Sequence, residues 1–306
     1  MPNFLIIGAA KSGTTTLYHY LKQHPQVYMN PVKETNFFAF EGKKIDFTGL
    51  KVTDSIKSYQ KEIITNLDLY KKQFDGVNQE IAIGESCPSY LYIPQAAENI
   101  KYYTPQAKLI IILRDPVERA YSNFLHHMRE RIEYYDDFLE AVAAESCRLK
   151  NNWWWGYHYV QVSLYYEQVK RYFDLFDRNQ VRVYLFQQFK NKQELLFSDI
   201  CQFLEIEDVK LIEQDSNFKK YNSTGIPTNT FLDVLIKDSN FVKKLYQAII
   251  RNKSIRQKIT AKVNSFNPLI KPDLNQETRT KLLPLFKEDI LKLQDLIKQD
   301  LSIWLQ

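Results

Sequence analysis

The sequence predicts an α/β fold in which helices flank a central parallel sheet, followed by a helical C-terminal part. Short apolar runs rich in β-branched residues recur along the first two-thirds of the chain, and amphipathic stretches alternate with them. Continuous apolar character is typical of strands that are covered on both faces, and the alternation favours parallel pairing with right-handed crossovers. We expect a single domain over residues 1–306, with the helical part at about residues 228–306.

Each predicted element follows from its local pattern. The apolar runs predict four buried strands: Phe4–Gly8, Ile81–Gly84, Leu109–Leu113 and Val181–Phe186. The stretches between and after them predict five helices: Thr14–His24, Gln95–Tyr103, Val117–Arg131, Leu164–Phe176 and Glu194–Leu204. Leucine and isoleucine recur with a helical period across Gln276–Leu305, which predicts helix there as well.

Composition limits the function classes. The chain has 306 residues, 44% hydrophobic and 25% charged, as expected of a globular protein with a sizeable core. Its net charge of +5 is compatible with an anionic ligand. Lysine and arginine are spread along the chain instead of clustered, which disfavours a nucleic-acid partner.

The cysteines and the apolar runs bear on location. Cys87, Cys147 and Cys201 are far apart and form neither a metal-ligand spacing nor a disulfide framework, so free thiols in a reducing compartment are expected. No apolar run approaches the roughly 18–20 residues of a membrane span. The first strand begins at Phe4, which leaves no room for a signal peptide. We expect a cytoplasmic protein without a transmembrane segment.

The loop between the first strand and the first helix is typical of an anion-binding site. Gly8 and Gly13 allow the backbone to approach a ligand, and the start of the helix attracts negative charge. Lys11 supplies a mobile positive charge. Further hydroxyls and amides come from Ser12, Thr14, Thr15 and Thr16.

This loop departs from the nucleoside-triphosphatase pattern G-x-x-x-x-G-K-[ST] at an essential position. Both glycines are present, but Thr14 occupies the lysine position and Lys11 comes before the second glycine. We also find no clear apolar strand that ends in a magnesium-binding aspartate. A P-loop nucleotide kinase or NTPase is therefore disfavoured, and it is kept as an alternative together with a non-catalytic nucleotide-binding module.

The stretch FLIIGAAKSGTTTL, from Phe4, resembles the 5′-phosphosulfate loop of sulfotransferases that use 3′-phosphoadenosine 5′-phosphosulfate (PAPS). The resemblance implies a three-layer P-loop-like fold, and the motifs are most similar to the heparan sulfate and carbohydrate branch and its bacterial relatives. It implies that Lys11 neutralises charge on the departing adenosine 3′,5′-bisphosphate. It also implies that no metal is needed, because cationic side chains perform the neutralisation.

A second block, KLIIILRDPVERAYSNF, is similar to the 3′-phosphate site of the same family. Arg114 follows the third predicted strand, at the sheet edge where ligands of parallel sheets gather. The resemblance assigns the 3′-phosphate to Arg114 and Ser122, and a guanidinium fork suits a terminal phosphate. The alternative is a surface ion pair of Arg114 with Asp115 or Glu118.

A third block, FKKYNSTGIP, is similar to the family's loop that closes over the cofactor. Lys219, Lys220 and Asn222 are the candidates to contact the nucleotide there. An ordinary solvated loop is the alternative.

The segment HPQVYMNPVKETNFF resembles the region of the heparan sulfate branch that carries a glutamate general base before paired phenylalanines. The resemblance makes Glu34 the expected base. Lys33 beside it is a candidate for binding the phosphosulfate or an acidic substrate. A surface Lys–Glu pair is the alternative.

A rival base lies on the helix after Arg114. His126 follows Ser122 by four residues and therefore shares its helix face. A histidine matches His126 in the N-sulfotransferase branch, so His126 or its neighbour His127 is a candidate either to contact the sulfuryl group or to act as an alternative base. Histidines on helices also serve in packing and hydrogen bonding, and the choice stays open.

Two segments are candidates for the acceptor side. In IGESCPSYLY, Glu85 is a candidate acceptor ligand, but Ser86 stands where the heparan sulfate enzymes carry a lysine, which puts a heparan-type substrate in doubt. Trp153, Trp154 and Trp155 are adjacent and offer aromatic faces to a sugar ring or an apolar chain. A satellite apolar cluster is the alternative for the tryptophans.

Together these observations predict a PAPS-dependent sulfotransferase. It would move a sulfuryl group in line onto a hydroxyl, or less favourably an amine, of a carbohydrate, glycolipid or small-molecule acceptor. Neither the acceptor nor the oligomeric state is encoded in a recognisable motif.

Overall fold

A five-stranded parallel sheet forms the centre of the molecule. The computed structural model describes residues 1–47, 62–209, 225–227, 269–270 and 272–306. The strands are β1 (Phe4–Gly8), β2 (Val27–Met29), β3 (Ala82–Ser86), β4 (Lys108–Leu113) and β5 (Val181–Leu185), in the spatial order β2-β3-β1-β4-β5. A short antiparallel pair consists of β6 (Ile226–Pro227) and β7 (Leu269–Ile270). The predicted central parallel sheet is confirmed.

Helices flank this sheet, as the alternating pattern predicts. Those before β4 are α1 (Thr14–Leu21), α2 (Phe37–Phe40), α3 (Leu67–Lys72), α4 (Ser89–Tyr92) and α5 (Pro94–Tyr103). Those between β4 and β5 are α6 (Pro116–Glu130), α7 (Phe138–Ala143), α8 (Glu145–Lys150) and α9 (Tyr166–Leu175). Within the described residues, those after β5 are α10 (Phe186–Asn191), α11 (Gln193–Leu204), α12 (Gln276–Leu282) and α13 (Pro284–Ile297).

The two faces of the sheet bury different residues of the same strands. In β1, Leu5 and Ile7 join the larger apolar core, whereas Phe4 and Ile6 pack on the opposite side with Leu17 of α1. This alternation is the period of two that a strand imposes on its side chains. Because both faces of the strand are buried, its sequence is an uninterrupted apolar run.

The strand assignments differ from the sequence prediction at β2, at β3 and at the end of β5, since Phe186 begins α10 instead of closing the strand. Strand β2 was not predicted, because three residues at the edge of a sheet are too short to stand out as an apolar run. Strand β3 continues past Gly84 to Ser86, through the ionisable Glu85. Glu85 is fully buried because nearby hydroxyl groups satisfy its carboxyl, a compensation that involves distant parts of the sequence.

The C-terminal helices pack on the main core. Phe286 and Leu293 of α13 belong to the same apolar cluster as Leu5. The helical period predicted over Gln276–Leu305 divides into two helices, with Leu283 between them and Pro284 at the first position of the second. From α12, Arg279 donates to both carboxylate oxygens of Asp115, at 3.1 and 2.7 Å.

Asp115 also caps α6. Its Oδ1 accepts a hydrogen bond of 2.9 Å from the backbone N–H of Glu118. The C-terminal part thereby fixes the start of the helix that follows Arg114, and it orients the segment between β4 and α6.

Two features are absent from the described residues. None of the helices in the described part is long and apolar enough to cross a membrane. Within those same ranges, histidine, cysteine, aspartate and glutamate side chains form no group of three or more that could hold a metal ion.

Candidate active site

The loop from Ala9 to Gly13 lies at the carboxyl edge of the sheet, between β1 and α1. The backbone N–H of Ala9 donates to the carbonyl oxygen of Ile112 in β4 at 2.8 Å, which ties the loop to the neighbouring strand. Lys11 and Gly13 have positive φ values of 67° and 95°. The loop therefore turns tightly before α1 begins at Thr14.

Lys11 lies in a strongly positive environment. Burial lowers its pKa to about 8, and the positive charges of Arg129 and Arg114 act in the same direction. The negative charge of Glu34 opposes them. The two arginines thus disfavour the charged form of Lys11, and a bound anion would relieve this repulsion.

Arg114 connects the second sequence block to this loop. Its guanidinium donates to the backbone carbonyl oxygen of Lys11 at 3.3 Å and to Oε2 of Glu118 at 2.7 Å. The ion pair with Glu118 was the alternative considered for this arginine, and it coexists with the contact to the loop. Ser122 lies on the following helix α6 and is buried.

An aromatic side chain supports both parts of the site. The guanidinium of Arg114 lies 5.1 Å from the ring centroid of Phe186, the first residue of α10. A Cβ atom added to Gly13 would lie 3.2 Å from the same ring. Only a residue without a side chain combines this close approach with a φ of 95°.

The loop fits a phosphate-type anion. The Oγ of Ser12 is buried and has no hydrogen-bond partner among the residues that the structure describes. Gly13 has no side chain that can cap α1, so capping of the first-turn amides falls to a ligand or to water. Thr14 and Thr16, which are buried, and Thr15, which is half-buried, follow directly.

Glu34 lies beside this loop, after β2. Its backbone N–H donates to the carbonyl oxygen of Ser86 at 3.1 Å, and its φ is 64°. Its carboxylate pairs with the ammonium of Lys33 and acts electrostatically on Lys11. The predicted base is therefore close to the predicted phosphate loop, although the two are more than twenty residues apart in the sequence.

The two histidines of α6 have different surroundings. His126 is partly exposed, and its Nδ1 lies 2.9 Å from Nη2 of Arg129. His127 is buried, with its Nδ1 2.9 Å from the hydroxyl of Tyr159. Burial lowers the pKa of His127 well below its usual range, and the charge on Lys11 acts in the same direction.

A family model described as the sulfotransferase family matches residues 2–210, which is more than half of the chain. The chain belongs to the sulfotransferase family. The match includes the phosphate loop, the Arg114 block and both candidate bases.

Individual relatives agree with this assignment. Membrane-associated sulfotransferase kil1 of Dictyostelium discoideum is 34% identical over 124 residues, which are 40% of this chain and 22% of that protein. Human carbohydrate sulfotransferase 15 is 25% identical over 253 residues, 67% of this chain and 44% of its own. The chain spans less than half the length of both curated relatives.

Solved structures show the same fold. A sulfotransferase from Alicyclobacillus acidocaldarius superimposes with a TM-score of 0.73 at 31% identity, covering 100% of this chain and 99% of that one. Mouse sulfotransferase SULT7A1, crystallised with PAP, has a TM-score of 0.50 at 12% identity, covering 96% and 87%. The second similarity is evidence for the fold alone.

Glu85, the predicted acceptor ligand, is enclosed. Both of its carboxyl oxygens accept hydrogen bonds from hydroxyl groups, those of Thr35, Tyr70 and Tyr90. Burial raises the pKa of Glu85, and the three hydroxyl groups oppose that shift. The structure thus gives Glu85 internal partners, and its proposed contact with an acceptor remains a prediction without support from the geometry.

The tryptophans pack around the end of α6. Trp153 and Trp154 are partly buried and cluster with Ile132 and Tyr157, and Trp155 is buried. Trp153 and Trp154 thus belong to a satellite apolar cluster, and each keeps part of its surface exposed. The ring of Trp154 lies 5.7 Å from that of His127, so the cluster borders the helix that carries the histidines.

Some predicted site residues have no described position, and Ser86 departs from the family pattern. Lys219, Lys220 and Asn222 lie outside the described residues. Ser86, at the position of the family lysine, is buried, and within the described ranges its Oγ has no hydrogen-bond partner.

Three residues around Lys11 were not predicted. Arg129 has a sequence signal, because it lies seven residues after Ser122 and three after His126 on one helix face. Arg119 is fully buried, where it donates to Ser163 and to the carbonyl oxygen of Tyr159. Phe186 directly follows β5 in the sequence, and only the strand order brings it beside Arg114.

Proposed function

We propose that this protein transfers the sulfuryl group of PAPS to an acceptor hydroxyl, with an amine as the less favoured acceptor. The observation that carries the proposal is the contact of Arg114 with the loop of Lys11, which gathers two cations, a buried hydroxyl and a helix start in one place. These groups suit a nucleotide that carries both a 5′-phosphosulfate and a 3′-phosphate.

The residues divide between the two ends of this nucleotide. The backbone from Ser12 to Thr16 and the ammonium of Lys11 would hold the 5′ end, and Arg114 with Ser122 would hold the 3′-phosphate. PAPS, when bound, supplies the activated sulfuryl group. Lys11 would neutralise the charge that develops on the leaving phosphate, and this stabilisation is greatest in the transition state.

Glu34 is proposed to take the proton of the acceptor hydroxyl. Its carboxylate lies within electrostatic range of Lys11, as a base at the acceptor end of an in-line transfer requires. Lys33 holds this carboxylate and is available to bind an acidic group of the acceptor. His126 is the alternative base. It lies on α6, whereas Glu34 lies on the segment after β2.

A carbohydrate is the proposed acceptor class, with glycolipids and small alcohols as the other members of the test panel. Relatives of this chain include carbohydrate sulfotransferase 15 and heparan sulfate glucosamine 3-O-sulfotransferase 5. The partly buried faces of Trp153 and Trp154 would line the acceptor side near α6. Because Ser86 cannot supply a cation, we expect neutral or weakly acidic sugars to be better acceptors than heparan sulfate.

The P-loop kinase alternative is not favoured. Thr14 occupies the position of the lysine that contacts a γ-phosphate, and the loop cation comes three residues earlier.

Transfer to the acceptor is tested with labelled PAPS and a panel of mono- and oligosaccharides, glycolipids and small alcohols. We expect label in at least one saccharide with wild type and background label with Lys11→Ala; label in no compound would contradict the proposal.

We also propose that residues 1–306 form one domain and that the protein acts in the cytoplasm. The first proposal rests on the shared core of α13 and the sheet. The second is tested by fractionation of the cells that produce the protein, with membrane-bound material as the contrary result.

A further inference from the structure

Arg129 constrains the protonation of His126. A guanidinium has only donors, so the contact of 2.9 Å between its Nη2 and Nδ1 of His126 requires an unprotonated Nδ1. A neutral imidazole carries one proton, which must then be on Nε2. His126 is thereby in the Nε2–H form.

The guanidinium is held in place on its other side. Its Nε donates to Oε1 of Glu130 at 2.9 Å, and the side chain of Arg129 is only 17% exposed. The positive charge also lies close enough to Lys11 to lower the pKa of that lysine. Arg129 therefore joins the histidine to the phosphate loop by a fixed, fully charged group.

This arrangement decides what His126 can do. An Nε2–H ring has no lone pair at Nε2 with which to take a proton from an acceptor. Protonation at Nδ1 would remove the acceptor of the Arg129 hydrogen bond and place two positive groups in contact. The ring is suited to donate a hydrogen bond from Nε2.

The adjacent histidine has the opposite arrangement. Arg148 donates to both oxygens of Glu133, at 2.5 and 3.1 Å, and Tyr159 donates its hydroxyl proton to the same carboxylate. The Tyr159 oxygen can then only accept from His127, whose Nδ1 must carry the proton. His127 thus provides an internal reference of the other tautomer.

We propose that Arg129 is a positioning residue that fixes His126 as an Nε2–H hydrogen-bond donor and leaves proton abstraction to Glu34. As a donor, His126 would stabilise the oxygens of the transferring sulfuryl group or of the acceptor. That catalytic assignment rests on the proposed sulfuryl transfer. The protonation state of the ring does not, so the two fail separately.

The test is a long-range ¹H–¹⁵N correlation spectrum of the full chain at neutral pH without ligand. The chain has five histidines, and His126→Gln and His127→Gln assign the two relevant patterns by loss of signal. We expect the Nε2–H pattern for His126 and the Nδ1–H pattern for His127. An Nδ1–H or doubly protonated His126 would overturn the inference.

Variants then test the role of Arg129. Arg129→Met removes the hydrogen bond that keeps Nδ1 unprotonated, and the Nδ1–H population of His126 should rise measurably. Arg129→Lys keeps a donor and should preserve the wild-type pattern, and Arg131→Met removes a cation two residues away and serves as the matched control. An unchanged His126 pattern in Arg129→Met, or the same change in Arg131→Met, would contradict the positioning role.

A separate titration distinguishes this inference from the proposed function. Calorimetry with adenosine 3′,5′-bisphosphate reports on the nucleotide site without involving the tautomer of His126. Loss of the predicted tautomer with intact binding rejects the role of Arg129 alone. The predicted tautomer without any binding rejects the proposed sulfotransferase site and leaves the state of the ring established.

Discussion

Arg114 donates a hydrogen bond of 3.3 Å to the backbone carbonyl oxygen of Lys11, across 103 positions of sequence. The contact brings together the ends of β1 and β4, which are neighbours in the sheet. The two blocks that the sequence marks as phosphate-binding are therefore parts of one site. Removal of the arginine should affect the nucleotide more than the fold.

Arg114→Ala is expected to weaken binding of adenosine 3′,5′-bisphosphate by about ten- to a hundredfold, as for the loss of a charged hydrogen bond. Titration calorimetry measures this change. Lys108→Ala is the matched control, because Lys108 begins the same strand at the opposite edge of the sheet and pairs with Glu205. Equal weakening in both variants would show a general charge effect and contradict the assignment.

The pKa of Lys11 predicts a pH dependence of binding. With a pKa of about 8 in the free protein, the ammonium is mostly present at pH 7 and mostly lost at pH 9. The dissociation constant of the bisphosphate should therefore rise by about tenfold between these pH values. Lys11→Arg remains charged throughout, and its affinity should be nearly constant over the same range; a wild-type affinity that is equally constant would be evidence against this role.

Glu34→Gln is expected to lower kcat by about 10²–10⁴-fold, the usual range for a general base, while bisphosphate affinity changes little. Turnover is measured with labelled PAPS and an acceptor from the panel above. His126→Gln serves as the comparison, because glutamine can still donate a hydrogen bond, and its kcat should fall less. If the order of the two effects were reversed, the base would be on α6.

Gly13→Ala should abolish nucleotide binding and lower the free energy of unfolding by about 1–2 kcal/mol, the cost of a left-handed backbone with a Cβ. Gly42→Ala is a matched control, since Gly42 also has a positive φ of 66° but has no atom within 4 Å of an added Cβ among the described residues. Gly42→Ala should show a similar loss in urea denaturation with normal binding. Normal nucleotide binding by Gly13→Ala would contradict the assignment, because it would show that the loop does not contact the nucleotide closely.

The parts of the fold and of the site that follow from short sequence patterns could be predicted. The phosphate loop and Arg114 both follow buried strands, and parallel strands place their carboxyl ends at one edge, so their meeting could be expected. Glu34 was located by resemblance, and the structure adds its electrostatic contact with Lys11.

Other parts depend on contacts that no local pattern contains. Glu85 looked like a polar group available to a substrate, but its partners Thr35, Tyr70 and Tyr90 come from three separate segments. The state of His126 depends on the side-chain conformation of Arg129, although their spacing on the helix was visible. Strand β2 forms because β3 offers it an edge, not because three residues prefer to be extended.

The most direct test of the account is a calorimetric titration of the wild-type protein with adenosine 3′,5′-bisphosphate in the absence of magnesium, compared with ATP in its presence. The account predicts tight binding of the bisphosphate and no measurable binding of ATP. Binding of magnesium-ATP without binding of the bisphosphate would contradict it.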